Sequence, residues 1–137
     1  MKGDIVHIED FKFSDGATGD KYAVILTDQH GTDPILVVKT TSKSKRYASA
    51  VRGCNEPLRV FLLPANTRPG LLVDTYIQLD EIFPLEVEDF EEGKQKKKIN
   101  KKDFLPDQLF NELKNCLKRM KDDIPQVFFN QLFPAKK

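Results

Sequence analysis

The run Thr40-Thr41-Ser42-Lys43 follows an unbroken apolar stretch, Ile35-Leu36-Val37-Val38, with Lys39 between them. Hydroxyls and ammoniums can all donate hydrogen bonds to a phosphate oxygen. A strand ending this way carries short polar side chains out of a core and presents them at its edge. Thr41 and Ser42 also suit a plain strand-terminating turn. From this stretch alone the turn is the stronger reading, because turn residues are common and sites are few. Lys43, Lys45 and Arg46 continue as a small basic loop with hydroxyls interleaved. Such a cluster can hold phosphates or stand as a solvated charged loop. His7 belongs to the residue type that changes charge near neutrality, yet a lone strand histidine reads first as a surface or satisfied core residue. The glycine loop Ser14-Asp15-Gly16-Ala17-Thr18-Gly19-Asp20 lacks the Gly-Lys-Ser/Thr ending of a nucleotide-hydrolase phosphate loop, and its glycines stand too close together.

The elements that must position these residues are short strands. Gly3 to Ile8, Lys21 to Thr27, Ile35 to Thr40 and Val60 to Leu63 are rich in β-branched and aliphatic residues. Ile35 to Val38 has the composition of a strand buried on both faces. Leu71 to Ile82 carries a further strand, with Ile77 and Leu79 on one face and Gln78 and Asp80 on the other. Leu85, Val87 and Phe90 predict a last short strand ending in acid. The acidic run Glu86 to Glu92 and the basic run Lys94 to Lys102 read as an exposed hairpin or loop, whose lysines are also available to RNA phosphate. Pro106 opens a helix at no cost in hydrogen bonds. Its apolar stripe is Leu109, Leu113, Cys116, Leu117 and Met120, and Lys118, Arg119 and Lys121 complement its C-terminal dipole. Phe128, Phe129 and Phe133 are too many aromatics to leave in water and must cover the core or another chain.

A chain of 137 residues is long enough for one domain with a real core. With 39% hydrophobic and 31% charged residues it has the make-up of an ordinary soluble protein. The net charge of +1 gives no general electrostatic case for nucleic acid, so any such case must be local. No apolar run is long enough to span a bilayer, and Met1-Lys2-Gly3-Asp4 enters a strand pattern without a signal-peptide core. Cys54 and Cys116 show no metal-ligand spacing and read as free thiols of a cytoplasmic protein. The expected fold is mainly β with a C-terminal helix, a small barrel or sandwich.

Several strings, in order, resemble the MazF/PemK toxin family. They are Gly3-Asp4-Ile5-Val6, Phe11-Lys12-Phe13 with its glycine loop, Lys21-Tyr22-Ala23-Val24-Ile25-Leu26, the apolar strand closed by Thr41-Ser42, and Gly70-Leu71-Leu72 followed by Asp74 to Ile82. The resemblance covers residues 1–121, leaving 122–137 as a short apolar C-terminal extension. It implies a CcdB/MazF-like fold, a small SH3-like antiparallel barrel with a C-terminal helix, usually a homodimer. The implied activity is metal-independent cleavage of single-stranded RNA, restrained by a cognate antitoxin, with no cofactor and no membrane.

Under that resemblance Lys21 matches the family's catalytic arginine, and Thr41 its catalytic threonine, with Ser42 beside it. Asp80 matches an acidic residue acting as general base in some members. Gln78 stands where those members carry an arginine acting as acid. Lys39, Lys43, Lys45 and Arg46 are the further RNA-contact candidates. Three departures bear on catalysis. Lysine at position 21 keeps the charge but loses the planar two-pronged grip on phosphate. Gln78 cannot donate a proton as an acid. Tyr22 replaces the usual proline. These departures keep open a second possibility, an RNA- or protein-binding member of the same fold, including the gyrase-inhibitor type.

Overall fold

A computed structural model describes residues 2–12 and 18–134. Most of the predicted Ser14 to Asp20 loop, together with Phe13 and the last three residues, lies outside the described part. Eight strands form one antiparallel sheet: β1 (Asp4–Lys12), β2 (Thr18–Ile25), β3 (Ile35–Thr41), β4 (Gly53–Asn55), β5 (Val60–Leu63), β6 (Thr75–Gln78), β7 (Phe83–Leu85) and β8 (Ile99–Phe104). Their order is β4-β5-β6-β3-β2-β1-β8, with β7 also paired to β3. Three helices complete the chain: α1 (Val87–Gln95), α2 (Asp107–Arg119) and α3 (Gln126–Leu132). Among the described residues, no helix is long and apolar enough to cross a membrane.

β3 is the central strand, and its four apolar residues are all fully buried. They alternate between two cores, as the two-residue period of a strand requires. Leu36 and Val38 join the larger core with Ile5, Val24, Phe61 and Ile77, which α2 covers. Ile35 and Val37 join a second core with Val6, Ile25, Phe83 and Phe90. A third, smaller cluster sets Tyr47 against Val60, Leu62 and Tyr76. In β1 the register slips between Ile8 and Phe11, where Asp10 adopts φ 58°. This bulge lets Phe11 return to the face of Val6 and Ile8 despite the odd spacing.

The helix predicted after Pro106 is α2. Leu113, Cys116, Leu117 and Met120 are buried as its stripe requires, and Phe110 joins them. The C-terminal phenylalanines pack on the same core as Ile124 and Leu132, and Lys114 donates from its Nζ to the Leu132 carbonyl at 3.0 Å.

Residues 86–102 differ from the expectation of a loop or hairpin: they form α1 and most of β8. Glutamates are good helix formers, and Glu88 and Asp89 lie in the first turn, where the dipole favours them. Phe90 is the one buried anchor of this helix. Gly93 lets Ile99 lie against it, since a Cβ there would sit 2.6 Å from the Ile99 side chain. Lys97, at φ 58°, ends the helix in a Schellman turn, with Lys98 N–H bonding the Gly93 carbonyl at 2.8 Å and Lys97 N–H the Lys94 carbonyl at 3.1 Å. The lysine run then pairs with β1 as an end strand of the sheet, and its charges discourage further strand addition. The predicted last strand is shorter and earlier, at β7. The strand expected within Leu71 to Ile82 is β6. A short strand, β4, precedes β5 and pairs with it.

Cys54 and Cys116 are not free thiols. They form a disulfide between β4 and α2, with Cα atoms 5.6 Å apart. Their separation of 62 residues carries no local signal, and only the docking of α2 on the sheet brings them within bridging reach. Breaking the bridge by reduction or by Cys116→Ser is expected to lower unfolding free energy by about 4 kcal/mol in the chain-entropy view. Urea denaturation with and without reductant measures this, and a coincident midpoint would show that the bridge adds nothing to stability.

Candidate functional site

The polar end of β3 lies against β2, with Ala23 opposite Lys39. Thr40 is buried and donates from Oγ1 to the Tyr22 carbonyl at 3.3 Å, which fastens the two strands where the apolar run ends. Beyond it, Thr41 Oγ1 accepts from the Lys43 amide at 3.2 Å. Thr41 therefore does make the turn that its residue type predicts, and the same turn keeps Ser42 and Lys43 beside it.

A cleft of about 400 Å³ opens here. Lys21 of β2, Thr41 at the end of β3, and Ser42 and Lys43 just beyond it line this cleft, as do Gly70 to Val73 and Lys102 of β8. The Gly70 end of the lining is fixed by Asp103, whose side chain is only 7% exposed. Its carboxylate accepts from Arg68 Nε at 3.0 Å and from the Gly70 amide at 2.8 Å. A Cβ on residue 70 would lie 2.7 Å from that carboxylate, so only glycine allows the approach. Burial pushes the Asp103 carboxyl up, but the Phe104 and Gly70 amides and Arg68 outweigh it and hold the group below its ordinary value.

Lys21 is half-buried. Burial, and then the charges of Lys39 and Lys43, hold its ammonium below the ordinary lysine value. Lys21 and Lys43 both line the cleft, and two ammoniums in mutual repulsion there make a natural place for an anion. Among the described lining residues, Asp20 is the only carboxylate beside Lys21, Lys43 and Lys102.

The structure therefore brings Lys21, Thr41, Ser42 and Lys43 together, although positions 21 and 41 come from different strands. Lys39 is a neighbour whose ammonium lies 5.1 Å from the Phe83 ring centroid. Gln78 and Asp80 do not line the cleft. Gln78 donates to the Tyr47 hydroxyl at 3.1 Å, and Asp80 is exposed beyond the end of β6. Lys45 and Arg46 lie in a 3-10 turn with Tyr47, Arg46 sitting 5.6 Å over the Tyr47 ring. They too stand outside the cleft. Lys102, Asp20, Tyr22, Leu72 and Val73 do line it. In the sequence Lys102 is one of many lysines in a run, and nothing local in Leu72-Val73 marks that pair as lining a cleft.

No known protein-family model matches the chain, and no curated protein matches it.

Two consequences follow from these charges. Because the Asp103 pKa is depressed on folding, its contribution to stability is present above the ordinary carboxyl range and is lost as pH falls through the folded value. Asp103→Asn is expected to cost about 2 kcal/mol through weakened charged hydrogen bonds and to flatten the acid limb of a stability-versus-pH curve; an unchanged acid limb would count against it. The Lys21 pKa is expected to rise when an anion relieves the repulsion of Lys39 and Lys43. Anion affinity should in turn fall as pH climbs through the depressed Lys21 value. NMR titration of the lysine side chains with and without inorganic pyrophosphate measures both effects, and a Lys21 titration indifferent to pyrophosphate would exclude anion binding beside it.

Proposed function

We propose that the chain is a metal-independent endoribonuclease of the MazF/PemK kind, built on an SH3-like barrel with C-terminal helices and acting on single-stranded RNA. The observation that carries this reading is the meeting of Lys21, Thr41 and Ser42 in one lysine-bordered cleft. These are three of the positions that the family resemblance singles out, with Lys21 and Thr41 separated by some twenty residues of chain, while the remaining catalytic candidate, Asp80, does not line the cleft. The antiparallel strand order with helices at the C-terminal end is compatible with the proposed fold.

In the proposed reaction the RNA 2′-oxygen attacks the adjacent phosphorus and the bond to the 5′-oxygen breaks. The products are a 2′,3′-cyclic phosphate and a 5′-hydroxyl. Thr41 and Ser42 hold the phosphate oxygens. Lys21, helped by Lys39 and Lys43, stabilises the charge of the phosphorane. The 2′ proton goes to a carboxylate, and the leaving oxygen takes a proton from an acid. The resemblance gives the base role to Asp80, and the carboxylate within the cleft is Asp20. A lysine held below its ordinary value is a better proton donor than an unperturbed one, so Lys21 also fits the role of acid. The proposed enzyme is a cytoplasmic homodimer restrained by a cognate antitoxin. In that compartment structural disulfides are rare, so Cys54 and Cys116 would be bridged there only after oxidation.

A second reading has one observation in its favour. Gln78 is occupied with Tyr47 and cannot act as an acid, which suits a protein that binds RNA without cutting it.

The test is incubation of purified protein with a long single-stranded RNA in excess EDTA, with product ends mapped. Recurrent cuts bearing cyclic phosphate ends are expected from the wild type. Thr41→Ala and Lys21→Ala should lower the rate at least about a hundredfold, in the range of a lost oxyanion donor. Asp20→Asn and Asp80→Asn, run in parallel, identify the base. Intact RNA under all conditions would transfer the proposal to the binding reading.

A further inference from the structure

Six large apolar side chains are exposed among the described residues, and three of them face one place. Tyr22, Leu72 and Val73 are 48%, 75% and 57% exposed, and all three line the Lys21–Thr41 cleft. The remaining three are elsewhere: Phe104 lies under Arg68 and Lys101, while Val51 and Val127 are isolated positions outside the cleft lining. Apolar exposure is therefore concentrated beside the phosphate-binding candidates.

Tyr22 is held in place. It sits within β2, directly opposite His7 of β1, and the two rings pack with centroids 5.1 Å apart and planes at 48°. Its carbonyl receives the Thr40 hydroxyl at 3.3 Å. A ring mounted on a paired strand loses little freedom when a ligand stacks on it. The charged groups that line the same cleft are Lys21, Lys43, Lys102 and one carboxylate, Asp20, so the surroundings of the ring are net cationic.

We infer that Tyr22, with Leu72 and Val73 in the lining of the same cleft, forms a stacking subsite for the base of the nucleotide whose phosphate lies against Lys21, Thr41 and Lys43. This rests on the proposed RNA reading and extends it to a residue at which the chain departs from the family's proline. An aromatic platform next to ammoniums is the arrangement by which proteins hold single-stranded nucleic acid, since stacking takes the base face and lysines take the backbone. A base within a duplex has no free face, so the subsite selects single strands. Every base has a π-face, so it favours bases by ring area rather than by sequence.

The experiment measures binding to a short single-stranded 2′-O-methyl RNA, in which the attacking oxygen is blocked, and to the same strand made abasic. Fluorescence anisotropy reads both. Tyr22→Ala is expected to weaken the base-containing strand about tenfold or more and to leave the abasic strand unchanged. Tyr22→Trp should bind at least as well as the wild type. Tyr22→Leu keeps an apolar side chain without a ring and should behave as Tyr22→Ala, which separates stacking from general loss of packing. Lys21→Ala should weaken both strands. Equal affinity of Tyr22→Ala and wild type for the base-containing strand, with Lys21→Ala still weak, would remove the stacking subsite and leave the RNA reading standing. Unchanged binding by Lys21→Ala would remove the RNA reading itself.

Discussion

Everything in this fold is organised by the double burial of β3. Its residues Ile35 to Val38 have no exposed surface, and they serve two cores at once. A one-residue slip would exchange the faces of these four apolar residues and draw either Lys39 into the buried place of Val38 or Pro34 into that of Ile35, and a buried unpaired ammonium or a lost ladder N–H is costly. The register is therefore firmly set. Once it is set, the polar residues that follow have no choice of position: Lys39 and Thr41 continue the face of Ile35 and Val37, and Thr40 continues the face of Leu36 and Val38. The candidate site lies at the place where the same strand leaves the core.

The second organising feature is the separation of charge on a nearly neutral chain. The cleft beside Thr41 is bordered by Lys21, Lys43 and Lys102 against one carboxylate. Near α1 a larger groove is lined by Glu9, Asp10, Asp89 and Glu92 as well as Lys96 and Lys98. Net charge alone conceals both. A local field of this kind acts over roughly a Debye length, about 8 Å at physiological salt, so the cleft acts on an anion through its own lysines. Asp103 adds a fixed support from behind. It joins the Arg68–Gly70 loop to β8, so the position of that part of the cleft lining does not depend on loop chemistry alone.

Much of the sheet was legible from local composition, and the reasons are physical. Val60 to Leu63 is a strand with the bounds that its apolar run predicts. The burial of Ile77 and Leu79, with Asp80 exposed, follows the two-residue alternation. The helix after Pro106 follows its apolar stripe. Charge runs were less informative. Glu86 to Lys102 has the look of a solvated loop, because Phe90 and Ile99 are single anchors that no periodicity reveals, and their fit depends on the missing side chain of Gly93. The candidate site divides along the same line. Thr41, Ser42 and Lys43 are contiguous and could be read together. Asp20, Lys102 and Leu72 are distant in the chain and meet only across the folded sheet.

The sequence by itself determined the apolar strands β1, β2, β3 and β5, the strong C-terminal helix α2, and the types of residue able to hold a phosphate, because each depends on side-chain pattern within a few residues. Tertiary structure alone decided three further matters: that Cys54 bonds to Cys116, that Lys21 and Thr41 share a cleft, and that Gln78 and Asp80 stand outside it. Each of these depends on the packing and pairing of segments remote in the chain. Such proximity is fixed by the burial of shared apolar surface, which no local stretch of residues encodes.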